Sequence, residues 1–198
     1  MNAPKSPPTD HITEARTQRA DARRNRQRIL DAAETVFAQQ GSKASTELIS
    51  TLAGLGNGTI FRHFATKEDL LRAVAERTIT RLTARAQELL ATTTEPGPAF
   101  FTMVAELIDQ ASGNHSVLDL LTDTPDQAVA ATVNAWRDMI TALLGRAQGA
   151  RAVDPRWKAT DVLAVLAGLC HAARASGWDR RVVLGVTVIL ADGLRPRS

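Results

Sequence analysis

Residues 49–64 read ISTLAGLGNGTIFRHF, and the fold follows from this stretch. Two short helical runs meet at Gly54-Leu55-Gly56. A glycine at position 54 supplies the positive φ that a tight turn between helices needs. Ser50 or Ala53 is small enough for the two helices to cross. Ile49, Leu55 and Ile60 supply the apolar clamp. These are the parts of a helix-turn-helix, whose second helix offers its N-terminal residues to a DNA major groove.

Working outward, helical spacing of Ile29, Ala33, Val36 and Phe37 predicts a helix over 24–40 that stops at Gly41. Short helices are expected over 46–53, capped by Ser45 or Thr46, and from Asn57 to about Phe64. Thr66 with Asp69 three residues on is a capping box for a long helix over 67–91. The run TTTEPGP at 92–98 is a break. Further helices are expected over 98–112, 115–122, from Pro125 at a first helical position to about 147, 161–176 and 179–194. The last contains a β-branched run that also suits a strand. Helix is preferred, because no second strand candidate exists to pair with it. The fold class is all-α. It has a disordered basic arm (1–22) whose end turns helical near Ala20, a three-helix helix-turn-helix DNA-binding domain (23–66), and a helical ligand-binding and dimerisation domain (67–198).

Charge placement supports this division. Residues 1–94 hold 14 Lys/Arg against 10 Asp/Glu, and residues 95–198 hold 10 against 11. Between Arg16 and Leu30 there are six arginines (Arg16, Arg19, Arg23, Arg24, Arg26, Arg28) and one acid, Asp21. A basic segment beside a folded domain is a footprint for a polyanion, and equally the mark of a solvated tail. A nonspecific architectural DNA binder would spread positive charge over the whole chain, which this one does not. An enzyme carrying a DNA-binding domain would need a nucleophile–base pair, metal spacing or a phosphate loop, and none is found. The single cysteine, Cys170, excludes an intrachain disulfide. No apolar run reaches the roughly 20 residues of a membrane span. A cytoplasmic protein without membrane contact is expected.

The side chains suited to DNA follow from position and chemistry. Asn57, Gly58 and Thr59 open the second helix of the motif. Asn57 can pair donor and acceptor with a base edge, and Gly58 permits close approach of the backbone. Thr59, Arg62 and His63 suit phosphate oxygens or base edges. Phe61 serves contact or packing equally well, whereas Phe64 reads as packing. Lys67, at the start of the long helix, can join that helix's free N–H groups on a phosphate. Arg24 and the other arm arginines can follow the backbone or enter a minor groove.

The segments RILDAAETVFAQQG (28–41) and AGLGNGTIFRHFATKEDLL (53–71) resemble the TetR/AcrR family of one-component bacterial regulators. The resemblance covers roughly residues 24–75. It implies a three-helix DNA-binding domain, a long connector helix and a divergent helical C-terminal domain. It also implies a homodimeric repressor, released from a pseudo-palindromic operator by a small molecule. By matched position, it puts DNA contacts on Asn57, Thr59, Phe61, His63 and Lys67. The chain departs from the family pattern in a linker from Gly41 to Thr46 that looks one residue short. It also has Leu48 where an acid is frequent, and Gly56 in place of a serine N-cap.

The segments 161–176 and 179–194 are apolar nearly all round, which asks for cover on two sides. A second copy of the chain supplies it, and the resemblance implies a four-helix bundle between subunits. Ala164, Gly168 and Ala172, with Val186 and Leu190 on the last helix, are the expected interface. The resemblance also implies an apolar effector pocket, for which Phe100, Phe101, Met103, Trp136, Met139 and His171 are candidates, each equally at home in a core. Cys170 and His171 are adjacent and diverge on a helix, and His11, His63 and His115 lie in separate segments. No metal site and no cofactor are expected.

Overall fold

A computed structural model of the chain describes residues 9–41, 44–113 and 127–196. Nothing between Thr9 and Arg28 is glycine or proline, and the first helix, α1, runs from Thr9 to Gln40. The reading that began this helix at Arg24 and made 1–22 a disordered arm is therefore corrected from Thr9 onward. A polar stretch carries no apolar period. Once the adjoining half of the helix is packed, though, each further residue only has to propagate it. The helix ends where Gly41 takes φ 67°.

The helices α2 (Thr46–Ala53) and α3 (Asn57–His63) follow. Next comes α4 (Lys67–Thr92). Ile29, Leu30, Ala33, Val36 and Phe37 of α1 pack with Ile49, Ala53, Ile60 and Phe64, and with Leu70, Leu71, Val74 and Ala75 of α4. Fully burying side chains such as Phe37, Ile49 and Ile60 stabilises this small core by about 1.5–3 kcal/mol each. The helix expected over 115–122, and Pro125 as a helix start, lie outside the described residues.

The second core belongs to α5 (Pro96–Gly113), α6 (Gln127–Gly149), α7 (Ala159–Ser176) and α8 (Arg180–Leu194). The central element is α5, whose Phe100, Met103, Val104 and Ile108 are fully enclosed by α6, α7, α8 and α4. The β-branched run of α8 is helical. Asp179 caps it by accepting from the Val182 N–H at 2.9 Å, and Asp154 N–H bonds the Leu194 carbonyl at its far end at 2.8 Å.

The long helix α4 enters both cores: Leu70 to Ala75 in the first, Ala86 and Leu89 in the second. Between them its arginines at four-residue spacing reach sideways. Arg77 pairs with Asp31 and Glu34 of α1. Arg81 pairs with Glu34 at 3.6 Å and donates to Gln110 of α5 at 3.1 Å, while Arg85 pairs with Glu106 of α5 at 3.2 Å. At the far end, Arg146 of α6 donates to the carbonyls of Leu90 and Thr93 at the C-terminus of α4, where a cation is favoured.

Candidate nucleic-acid interface

Local rules set the geometry of the motif. Ser45 accepts from the Leu48 N–H at 3.3 Å and starts α2. Gly54 ends it in the left-handed region, φ 61° and ψ 40°, and its N–H bonds back to Ser50 and Thr51 carbonyls. Arg28 of α1 donates to the Gly54 carbonyl at 3.2 Å, tying the turn to the first helix. Gly56 caps α3 with extended backbone and no side-chain bond. Ile60 and Phe64 point into the core and fix the roll of α3.

That roll leaves Gly58, Phe61 and Arg62 exposed, with Asn57, Thr59, His63 and Lys67 half-buried at the same surface. The structure therefore brings seven of the eight expected DNA-contact residues to the opening and outer side of α3 and the start of α4. The eighth, Arg24, is exposed on α1, where it pairs with Asp21. Phe61 faces solvent and Phe64 does not, which resolves the two roles left open for Phe61 against packing.

Asn57 has an unexpected neighbour. Its Nδ2 lies 3.5 Å from Glu47 Oε1 of α2, at the long edge of hydrogen-bond range, and its Oδ1 is enclosed without a partner among the described residues. Gly58 has nothing within 4 Å of where a Cβ would stand, so nothing in the chain itself requires glycine there. Sequence reasoning missed Glu47, and also Arg26, whose guanidinium stacks 5.0 Å over the Phe64 ring. Neither contact could be read from spacing alone, since both arise from how α3 is rolled against its neighbours.

At the start of α4 the capping box is complete. Asp69 N–H donates to Thr66 Oγ1 at 3.0 Å, and Thr66 N–H donates to Asp69 Oδ2 at 3.1 Å. The Thr66 hydroxyl holds the Asp69 carboxyl below its ordinary value of 3.8. Desolvation opposes this, and the Thr66 backbone N–H and the charge of Arg72 reinforce it. Lys67 stands in the first turn beside this cap.

In the C-terminal half, Phe100 and Met103 are wholly enclosed, while Phe101, Trp136 and Met139 are half-buried against the same core. His171 is exposed and bonds Arg174 at 3.2 Å. A groove of about 500 Å³ is lined by Gly97, Pro98, Phe101, Arg151, Ala191 and Arg195, and of the six expected pocket residues it involves Phe101 alone. Of the expected interface residues, Ala164 and Gly168 are exposed, and Ala172, Val186 and Leu190 are half-buried. The most exposed apolar side chains are others: Val165 at 48%, Leu184 at 51%, Val188 at 60% and Ile189 at 72%. No described helix is long and apolar enough to cross a membrane.

A three-helix unit that seals its turn and leaves the opening of its last helix bare defines a helix-turn-helix DNA-binding protein. The comparisons narrow this. Residues 29–74 match the model of bacterial regulatory proteins of the tetR family, and residues 95–196 match the C-terminal domain of SbtR-like transcriptional regulators. A TetR regulatory protein of Mycobacterium vanbaalenii is 33% identical, covering 90% of this chain and 99% of that one, with a TM-score of 0.68. The TetR regulator SCO0520 of Streptomyces coelicolor is 30% identical over 87% of this chain and 99% of that one, with a TM-score of 0.67. The HTH-type transcriptional regulator SAR0097 of Staphylococcus aureus is 34% identical over 83 residues, or 40% of this chain. The match spans only 43% of that curated relative's length. The chain belongs to the TetR family of transcriptional regulators.

Proposed function

We propose that the protein is a homodimeric repressor that holds a pseudo-palindromic operator and releases it when an apolar small molecule enters the C-terminal half. On this reading it acts in the cytoplasm, with double-stranded DNA, a second copy of itself and the effector as its partners. The observation that carries the dimer is the large apolar side chains that α7 and α8 each leave bare. Val165 on one helix, and Leu184, Val188 and Ile189 on the other, are large, apolar and exposed. Gly168 and Gly185 beside them have open space where a Cβ would stand, so another helix can approach closely. Apolar surface of this kind marks an interaction site. Ala164, Gly168 and Ala172 with Val186 and Leu190 border it.

On the DNA side, Asn57 and Thr59 read base edges, and Gly58 admits the backbone close to the duplex. Phe61 lies against bases or sugars, and Arg62, His63, Lys67 and Arg24 hold phosphates. The unpartnered Asn57 Oδ1 supports the first assignment, because a donor on a base edge would satisfy it. The effector is placed among Phe100, Phe101, Met103, Trp136 and Met139, with His171 at the outer edge. It acts by moving α4, whose arginines grip α1 on one side and α5 on the other, and so alters the spacing of the two recognition helices. It works only through its unequal affinity for the two states.

The test starts from a duplex selected by the protein out of a random pool. Sedimentation should show a dimer alone and two protomers on one symmetric duplex. A monomer on an asymmetric site contradicts the reading. A compound found by thermal shift should weaken binding to that duplex. Tight binding with operator affinity unchanged refutes the release mechanism.

A further inference from the structure

We infer that the first half of α1 is a second DNA-contacting element, a helical arm that lays Arg16, Arg19 and Arg23 along the phosphate backbone flanking the site read by α3. This rests on the chain being an operator binder. It adds a surface outside the matched DNA-binding domain, which begins at residue 29.

The argument is one of register. Arg16, Arg19, Arg23, Arg26, Leu30, Ala33 and Phe37 follow each other at intervals of three and four, so they share one face of a continuous helix. The last three are buried in the helix-turn-helix core. The arginines therefore leave the domain on the side of that core, which α2, α3 and the start of α4 line together. Arg26 fixes the junction, since its guanidinium rests on Phe64, the C-cap of α3. From Arg16 to Arg26 the stripe is about 15 Å long.

Arg16, Arg19 and Arg23 are exposed, and among the described residues none has an ion-pair partner. The one acid between Arg16 and Leu30, Asp21, sits about 160° round the helix from Arg19 and Arg23. There it is taken by Arg24, which lies about 100° from Arg23. The positive face is thus left undiluted. The opposite face carries Thr17, Asp21, Arg24 and Arg28, with no apolar side chain to enter a bilayer, which sets this helix apart from a membrane-surface one. Guanidinium groups spaced along a rigid rod suit phosphates, whose oxygens they grip in pairs.

The experiment uses the full chain and the duplex it selects from a random pool. The duplex is made with and without about ten extra base pairs on each side. Replacing three phosphate contacts in each subunit by Arg16→Gln, Arg19→Gln and Arg23→Gln together should flatten the slope of log K against log salt by about 5.4 for the dimer on the long duplex. Base preference should stay as it was, and the long and short duplexes should bind the variant alike. An unchanged slope overturns the proposal. Ala20→Pro keeps every charge and breaks the helix, and it should lose most of the same increment. Native behaviour of Ala20→Pro overturns the helical arm in favour of a loose basic tail. If no sequence is selected, the operator reading itself fails. The slope comparison on a random-sequence duplex then still judges the arm separately.

Discussion

The two cores of this chain finish their burial differently. In the N-terminal unit, α1, α2, α3 and the start of α4 enclose Ile29, Ala33, Phe37, Ile49 and Ile60, and the large apolar residues left outside are Leu48, Leu52 and Phe61. In the C-terminal half, α5 is wrapped, yet α7 and α8 each hold one apolar side against it and leave another bare. The first unit closes its core in one chain, and the second leaves large apolar side chains uncovered, as the proposed dimer requires. The difference predicts where charge, strain and acid will act.

The largest effect belongs to the bare face. Val188→Glu with Ile189→Glu should leave each subunit folded, shift sedimentation from dimer to monomer, and weaken operator binding by about 10²–10⁴-fold, the usual gain from linking two half-sites. A variant that remains dimeric would remove the distinction between the two halves.

A middle-sized effect compares two glycines in the same left-handed conformation. Gly54 and Gly177 have φ 61° and 56°. Alanine at either costs about 1–2 kcal/mol of backbone strain. At Gly54 the new Cβ also stands 2.8 Å from Arg28 Nη2, whereas at Gly177 nothing lies within 4 Å. Gly54→Ala should therefore lower Tm more than Gly177→Ala. Equal losses would mean that Arg28 moves aside freely and does not brace the turn.

The smallest concerns the cap of α4. Because the folded Asp69 carboxyl titrates below its ordinary 3.8, its contribution is in place above that value and fades as pH falls through the depressed one. Thr66→Ala should cost about 1 kcal/mol at neutral pH. It should also flatten the fall in Tm between pH 4 and 3. A variant whose melts track the native protein through that window contradicts the assigned cause.

What the sequence made legible was what its caps and turns encode. Ser45, Gly54 and Thr66 with Asp69 each mark a boundary by a local bond, and α2 and α4 begin or end at them. The start of α1 has no such mark. Its first half is polar, and it is continuous with the half that packs. Sides were harder to read than ends. A helix that is apolar all round does not say which side meets α5, so Val186 and Leu190 come out half-buried while Leu184, Val188 and Ile189 stand clear. The aromatic pair on α5 shows the same limit: Phe100 is enclosed, and Phe101, one residue on, reaches the surface groove. Around α3 the positions of Gly58, Phe61 and Arg62 on an exposed side were readable, but the approach of Glu47 to Asn57 depends on the roll of α3 and was not.

The central claim is that the opening residues of α3 read bases while the start of α4 holds backbone. Parallel selection from one random DNA pool by the native protein, Asn57→Ala and Lys67→Ala tests it most directly. The account predicts that Asn57→Ala loses about 1–3 kcal/mol of discrimination at one base pair in each half-site. Lys67→Ala should keep the native sequence while binding every duplex more weakly, with a salt slope shallower by about 2, one for each subunit. If Asn57→Ala selects the native sequence with native stringency, the assignment of base reading to this end of α3 is contradicted.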